Sequence, residues 1–224
     1  FGAWSQGFRA PQTTDLYRLQ KQQVAGEIDS EEINSVEFGV RGVSDKLHYE
    51  AVIYAMTKKN FFFRDAKGLN VTDGETSHQG LELGVNYDLI SNINLAINYS
   101  YGKHEYEFDR LTSGVVKGND IDTAPQHQAN ARLSWLPTAD IKLELEWLHM
   151  GDYYLDPANE HKYDGHELLQ LRGAINLNTK VKLFARIENL TDEKYASRAD
   201  FAFGSYRYFG GQPRALHAGI NVKF

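Results

Sequence analysis

The segment from residue 149 to residue 166 is rich in side chains that can bind cations. It contains His149, Asp152, Tyr153, Asp156, Glu160, His161, Asp164 and His166. Carboxylates and imidazoles suit a hard or borderline cation, or an iron chelate. The spacing fits no dedicated metal motif, so a solvated loop is the alternative interpretation and no resident metal or cofactor is predicted. We predict ligand contacts at His149, Asp152, Tyr153 and His161.

Cations near the start of the chain suggest a second set of ligand contacts. Arg9, Arg18 and Lys21 could attract an anionic chelate, because guanidinium and ammonium groups bind anions through charge-assisted hydrogen bonds. A loop that only needs to be soluble would carry the same residues. Both interpretations stay open.

Catalysis has little support in the sequence. No Gly-x-Ser-x-Gly, phosphate-binding loop or His-Glu-x-x-His motif occurs, and the absence of cysteine excludes thiol catalysis and disulfides. We predict that the chain is not an enzyme. An outer-membrane protease of ten strands that uses Asp152, Asp156 and His161 is an alternative.

Alternation with a period of two residues organises the chain into about ten strands. In the last strand one face carries Leu216, Ala218, Ile220, Val222 and Phe224. Leu83, Ile97 and Leu171 belong to the same kind of apolar face in earlier strands. Several strands reach the roughly 9–11 residues that cross a tilted bilayer path. The pattern predicts an all-β, antiparallel, up-and-down transmembrane β-barrel whose last strand is sealed into the wall.

The predicted connections alternate between short and long, which is typical of outer-membrane barrels. The long ones are 7–31, 57–77, 109–126, 151–165 and 189–213, and the short ones are 42–46, 88–92, 137–140 and 178–180. Aromatic residues that suit membrane interfaces lie near the strand ends: Tyr87, Tyr99, Tyr101, Trp135, Trp147, Tyr153, Tyr154 and Phe224. A soluble β-sandwich that serves as a binding module is the alternative fold.

Composition limits the possible partners. The net charge is −6 and the isoelectric point about 5.8, so a surface that binds nucleic acid is not expected. No run of about 18 apolar residues occurs, which excludes a transmembrane helix. Charges of both signs on the face opposite the apolar one suggest cross-strand ion pairs, with Arg132 near Glu144 or Glu146, and Arg172 near Arg186 and Glu188.

Several segments resemble the C-terminal half of TonB-dependent outer-membrane receptors. They are Gly7–Pro11 with Asp15–Tyr17, the strand Ser35–Arg41, the segment Glu188–Tyr195, and Gly210–Arg214 before the last strand. The resemblance covers essentially the whole chain, and the segment Glu188–Tyr195 is its most specific part.

The resemblance implies a 22-stranded barrel filled by a plug, which imports scarce nutrients with energy relayed by TonB in the outer membrane of Gram-negative bacteria. Residues 1–224 are then the C-terminal portion of the barrel, with further strands and the plug expected before Phe1. The expected partners are outer-membrane lipid, TonB through the plug, and a small-molecule ligand. A ferric siderophore or similar metal chelate is the predicted ligand, and the lack of histidine between Gln12 and Ile33 counts against haem.

Overall fold

The computed structural model describes residues 1–13, 29–64, 70–109 and 117–224, and only the backbone of 62–64 and 70–73. Within these residues the strands are β1 Gly2–Arg9, β2 Glu31–Val43, β3 Leu47–Arg64, β4 Asn70–Ile90, β5 Ile93–Tyr106, β6 His127–Thr138, β7 Ile141–Met150, β8 Tyr153–Tyr154, β9 Lys162–Tyr163, β10 His166–Asn176, β11 Val181–Glu188, β12 Ala196–Ala202, β13 Ser205–Gly210 and β14 Ala215–Val222. No helix in this described part of the chain is long and apolar enough to cross a membrane.

Ten of the strands form one antiparallel sheet in the order β1-β2-β3-β4-β5-β6-β7-β10-β11-β14. Each strand pairs with its sequence neighbour in the sheet, as a meander requires, and the predicted number of strands is confirmed. Among the described strands β1 pairs only with β2 and β14 only with β11. The ten strands therefore do not close on themselves, which argues against the ten-stranded protease.

The two faces of the sheet differ as the alternation predicts. Leu83, Ile97, Leu171 and Ile220 share the outward face, and no second layer of the described structure covers them, since even the mid-sheet residues Ile97 and Leu171 are 38% and 37% exposed. The opposite face carries charged and polar side chains. An exposed apolar face this wide is typical of a protein that meets lipid rather than of a sandwich core.

The last strand presents its predicted apolar face outward. Leu216, Ile220 and Val222 are exposed on β14 together with Ala218, whereas Phe224 lies beyond the end of the strand at Val222. The role of this strand in sealing a barrel remains a prediction.

The four predicted short connections are found, and so are the long ones after β1, β5, β7 and β11, but only residues 65–69 join β3 to β4, and several predicted loop boundaries are wrong. β3 continues to Arg64 and β4 begins at Asn70, so most of the predicted loop 57–77 is a paired ribbon. Lys58 and Lys59 are consecutive in β3, so each face of the strand carries a charge there and the period-two alternation is lost. The predicted loops 151–165 and 189–213 likewise contain the hairpins β8–β9 and β12–β13.

The main hydrophobic cluster of the described residues lies beside the sheet, not within it. Tyr153, Leu155, Tyr163, Ala196 and Ala199 are buried together between the two small hairpins. We call β8–β9 and β12–β13 with their linking residues 151–165 and 195–211 the loop module. The loop module lies at the end of the sheet that carries the long connections. Its two segments directly follow the ends of β7 and β11 there.

Candidate functional site

The loop module is held together by tyrosine hydroxyls and one aspartate. The backbone N–H of Ala199 donates to the Tyr153 hydroxyl at 3.0 Å, and that of Ala196 donates to the Tyr163 hydroxyl at 3.1 Å. Burial raises the pKa of both tyrosines, so both hydroxyls stay protonated at neutral pH. Tyr153, which sequence analysis placed among the interface aromatics, is therefore a core residue of this module.

His161 packs into the same module. Its Nδ1 lies 2.7 Å from Asp156 Oδ2, and its ring stacks on Phe201 with the centroids 3.5 Å apart. The Asp156 carboxylate also accepts the backbone N–H groups of Ala158, Glu160 and His161. An aspartate that caps a turn in this way has little capacity left to activate a water, so the Asp156–His161 pair gives no support to a protease.

Asp152, just before β8, forms an ion pair with Lys162 of β9. The hydrogen bond from Lys162 holds the pKa of the Asp152 carboxyl below its usual value. About half of each side chain is exposed, so both groups remain accessible to a ligand. Within the described residues no three His, Asp or Glu side chains converge in a geometry that could hold a metal ion.

The remaining predicted ligand contacts lie outside the module. Arg9 ends β1 on the polar face and donates from Nη2 to Glu31 Oε1 at 2.6 Å. His149 lies on the outward face of β7, stacked on Trp147 with 5.6 Å between centroids and 3.5 Å from Glu167. Arg18 and Lys21 lie outside the described residues. Geometry thus brings together Asp152, Tyr153 and His161, and separates them from Arg9 and His149.

Hairpin β12–β13 carries an exposed cationic and aromatic face that sequence analysis missed. Arg198 lies over the Phe209 ring at 5.3 Å and Arg207 over the Phe203 ring at 5.8 Å. Both guanidinium groups contact Asp200, at 3.1 Å and 2.5 Å, so two cations share one buried carboxylate. We call Arg198, Phe203, Arg207 and Phe209 the arginine–aromatic face. It keeps a net positive charge and can accept an anion.

A sequence signal for this hairpin does exist. Phe203 and Gly204 both have positive φ, 54° and 73°, between the paired residues Ala202 and Ser205. Two successive residues with positive φ form a two-residue turn whose twist matches that of the two strands it joins. Glycine at the second position, followed by alternating Tyr206, Arg207 and Tyr208, indicates a strand after a tight turn.

The segment Glu188–Tyr195 has a structural role beneath the hairpin. The Asn189 side chain is 3% exposed; its Nδ2 donates to the carbonyls of Glu193 and Gln212 at 2.9 and 3.1 Å, and its Oδ1 accepts the Glu193 N–H. Asp192 accepts the N–H of Arg214 at 3.0 Å. The segment therefore fastens both ends of the hairpin region to the start of β14.

The polar face of the sheet has its densest charge network on β6, β7 and β10. Arg172 donates to Glu144 at 2.8 Å and to Glu146 at 2.5 Å, and Arg132 donates to Glu146 at 3.1 Å. The predicted pairing of Arg132 with the two glutamates is confirmed. Arg172 lies opposite Arg186, as predicted, but its hydrogen bonds go to Glu144 and Glu146 rather than to Glu188.

The family model described as "TonB dependent receptor-like, beta-barrel" matches residues 1–190. The chain belongs to this family. TonB-dependent receptor barrels are outer-membrane proteins of Gram-negative bacteria, and the family consists of transport receptors rather than enzymes.

Relatives of known structure share the fold of this barrel segment. A probable TonB-dependent siderophore receptor, PiuA of Acinetobacter baumannii, is 22% identical over 207 residues, which are 88% of this chain and 28% of the relative. The crystal structure of the A. baumannii siderophore receptor PiuA superposes with a TM-score of 0.76 at 21% identity, over 88% of this chain and 29% of that one. The ferric-catecholate import receptor Fiu of E. coli K12 gives a TM-score of 0.76 at 16% identity, over 99% and 32%. The chain thus spans less than a third of the length of these relatives.

Proposed function

We propose that this chain is the C-terminal barrel portion of an outer-membrane receptor that captures a ferric siderophore or similar metal chelate. The complete receptor would import the chelate through the lumen with energy supplied by TonB, which would act through a plug outside this chain. The family supports transport, and the similarity to PiuA, a siderophore receptor, and to Fiu, a ferric-catecholate import receptor, supports the ligand class.

The observation that carries the ligand class is the arginine–aromatic face at the long-connection end. Catecholate and hydroxamate chelates both present oxygen atoms around the iron, and the ferric tris-catecholates also carry net negative charge and flat rings. Guanidinium groups donate to such oxygens, and aromatic side chains pack against the rings. Arg198 and Arg207 are held by Asp200 and by the rings of Phe209 and Phe203, so little side-chain entropy would be lost when they bind an anion.

Asp152, Tyr153 and His161 support this face in different ways. Tyr153 and His161 hold the hairpins together, and Asp152 with Lys162 would line the edge of the same ligand site. We assign Arg9, Arg18 and Lys21 a supporting role in attracting the anionic chelate. His149 lies on the outward face of β7, so it would contact the ligand only from outside the barrel.

Binding of defined probes tests the proposal. The full-length receptor in detergent is titrated with a ferric tris-catecholate and with a ferric tris-hydroxamate, and quenching of intrinsic fluorescence reports binding. We expect the double variant Arg198→Gln/Arg207→Gln to bind about 10- to 100-fold more weakly, because each charge-assisted hydrogen bond contributes roughly 1.5–3 kcal/mol and the two are partly redundant.

Lys180→Gln is the matched control, since it removes a cation from the turn at the opposite end of the sheet. It should leave affinity unchanged. Equal affinities of the double variant and the wild type for both probes would contradict the assignment of this face. Failure of the full-length receptor to bind either chelate, or to transport it in cells with intact TonB, would contradict the proposed function itself.

A further inference from the structure

Three potential metal ligands lie in one cross-strand row on the polar, lumen-facing side of the sheet. Met56 is opposite His78 in the β3–β4 register, and His78 is opposite His104 in the β4–β5 register. The adjacent residues of β4 and β5 that point outward are Gln79 and Lys103. Placing such polar side chains in hydrocarbon would reduce the stability of the barrel. The row therefore lies beyond the membrane-spanning part of β4 and β5, whose outer limit we place at Tyr101, an outward-facing tyrosine of the type found at membrane interfaces.

The two imidazoles contact each other directly. Nδ1 of His78 lies 2.9 Å from Nδ1 of His104, and the ring centroids are 5.0 Å apart. Two ring nitrogens approach this closely only if one carries a proton and the other offers a lone pair. Burial, the neighbouring His104 ring and Lys58 lower the pKa of His78 to about 4, and burial lowers the pKa of His104.

Thr76 orients the His78 ring. Its Oγ1 lies 2.9 Å from His78 Nε2, and the threonine is buried. When Nε2–H donates to this oxygen, the lone pair of His78 is on Nδ1 and points at His104. A hydrogen bond from the second ring nitrogen to a fixed oxygen is the usual support of a histidine that binds a metal.

The glycines of the two strands make room for these rings. A Cβ on Gly102 would come within 2.7 Å of His104 Nε2 and 3.0 Å of the Tyr54 hydroxyl, and a Cβ on Gly80 would meet the backbone carbonyl oxygen of Tyr101 first and then the Tyr54 hydroxyl at 2.6 Å. Side chains at either position would displace the ring or the hydroxyl. The local backbone therefore accommodates the imidazole pair and the tyrosine that lies over it.

We propose that His78 and His104 bind one Cu⁺ ion through their Nδ1 atoms, with the thioether of Met56 as a third ligand. Imidazole and thioether suit a soft ion, whereas structural zinc sites use four ligands and hard cations prefer oxygen. With metal–nitrogen bonds of about 2 Å, a near-linear pair needs the two nitrogens about 4 Å apart, so the rings must open by roughly 1 Å. His104 then carries its proton on Nε2.

The charges around the row are compatible with a monovalent cation. Lys58 is on the same face but pairs with Glu31 at 3.5 Å, and the carboxylate of Asp120 acts on His104 from the other side. The site is in β3, β4 and β5 of the sheet and uses no residue of the loop module. It therefore stands independently of the proposed siderophore function.

Competition for Cu⁺ with a chromophoric chelator under reducing conditions tests this site in the full-length receptor. We expect one ion per receptor, and a loss of affinity of at least about 100-fold in His78→Asn and in His104→Asn. Met56→Leu should weaken binding less and should remove the sulfur shell from the X-ray absorption spectrum. Thr76→Val should weaken binding about 10- to 100-fold, as the loss of such a support usually does.

His48→Asn is the control, because His48 is an exposed histidine on the same face of β3, distant in register from the row. It should bind Cu⁺ as the wild type does. Each variant is first checked for the heat-dependent gel mobility of a folded barrel, so that loss of binding is read only on folded protein. The proposal would be overturned if the wild type bound no Cu⁺, or if the His78→Asn/His104→Asn double variant bound Cu⁺ as tightly as the wild type.

Discussion

Arg172 lies directly opposite Glu144 across the β7–β10 pair, and its Nη1 donates to Glu144 Oε1 at 2.8 Å. The same guanidinium reaches Glu146, so one cation serves two carboxylates that are both nearly buried. Because a sheet places register partners side by side, this network links β6, β7 and β10 across the polar face.

Loss of this cation should destabilise the barrel wall. We expect Arg172→Gln to lower the free energy of unfolding by about 1–3 kcal/mol, because two shielded carboxylates lose donors and Arg132 alone cannot replace them. Arg186→Gln is the control: its pair with Glu188 is more exposed, so a change below about 1 kcal/mol is expected. Urea unfolding of the receptor in lipid vesicles measures the free energy of unfolding of both variants. Equal losses in the two variants would contradict the stabilising role of the network.

Adjacent residues of β5 test which face meets lipid. Ile97 points outward and Asn98 points to the lumen. We expect Ile97→Lys to reduce folding stability in bilayers by about 2–4 kcal/mol, since a lysine near the midplane loses its hydration. Asn98→Lys should change it by less than about 1 kcal/mol, because that side chain stays in a polar lumen. The yield of heat-resistant folded receptor after vesicle insertion gives the comparison, and a larger cost for Asn98→Lys would reverse the assignment of the faces.

Asn189 should be indispensable for anchoring the hairpin region. In Asn189→Asp the two donated hydrogen bonds to Glu193 and Gln212 are lost and a charge faces their carbonyl oxygens, which should cost roughly 2–4 kcal/mol. Asn178→Asp is the matched control, because Asn178 only accepts, from the N–H groups of Lys180 and Val181. Limited proteolysis of residues 189–213 should be faster in the first variant only.

The core of the loop module tolerates little extra volume. Ala199 is fully buried against Tyr153. We expect Ala199→Leu to destabilise docking of the hairpin by about 1–3 kcal/mol and to weaken chelate binding with it. Ser205→Leu adds similar bulk at an exposed position of the neighbouring strand β13 and should leave both unchanged. Hydrogen exchange of β12 and β13 reports docking; unchanged protection in Ala199→Leu would contradict the packing described.

The Asp152–Lys162 pair should respond to acid. The pKa of Asp152 is lowered by Lys162, so its small stabilising contribution is complete above its ordinary pKa of about 3.9 and is lost as the pH falls through the lower value in the folded protein. Solvent screens this exposed pair, so the effect on stability is slight. A carboxyl titration followed by NMR should show the pKa return towards 3.9 in Lys162→Met, whereas Lys194→Met leaves it low.

The sheet can be predicted from the sequence because its outward face meets lipid whereas its other face meets a polar lumen. Ile97 and Asn98 differ in polarity for that reason, and the same contrast recurs along each spanning strand. Where β3 and β4 rise beyond the lipid, Lys59 and Glu75 pair on the outward side, and the contrast that marks a strand disappears. The boundary error at 57–77 follows directly.

The candidate sites were less predictable for a different reason. Register is set by every pair along two strands, so the partner of Arg172 could not be chosen from its own neighbours in sequence. His78 and His104 are 26 residues apart and meet only because β4 and β5 pair as they do. In the loop module, Tyr153 and His161 resemble ligand residues by type, and only the packing of two distant hairpins shows that they hold the module together.

The turn at Phe203 has a consequence for how such a loop would evolve. A phenylalanine with a φ of 54° is in a conformation that asparagine or glycine adopts more easily, yet its ring is 96% exposed and packs little within the chain. Folding alone gives no reason to retain it. In a mutational drift experiment that selects only for intact barrels, Phe203 should be among the first residues of the hairpin to be replaced, whereas growth on a scarce iron chelate should preserve an aromatic ring there.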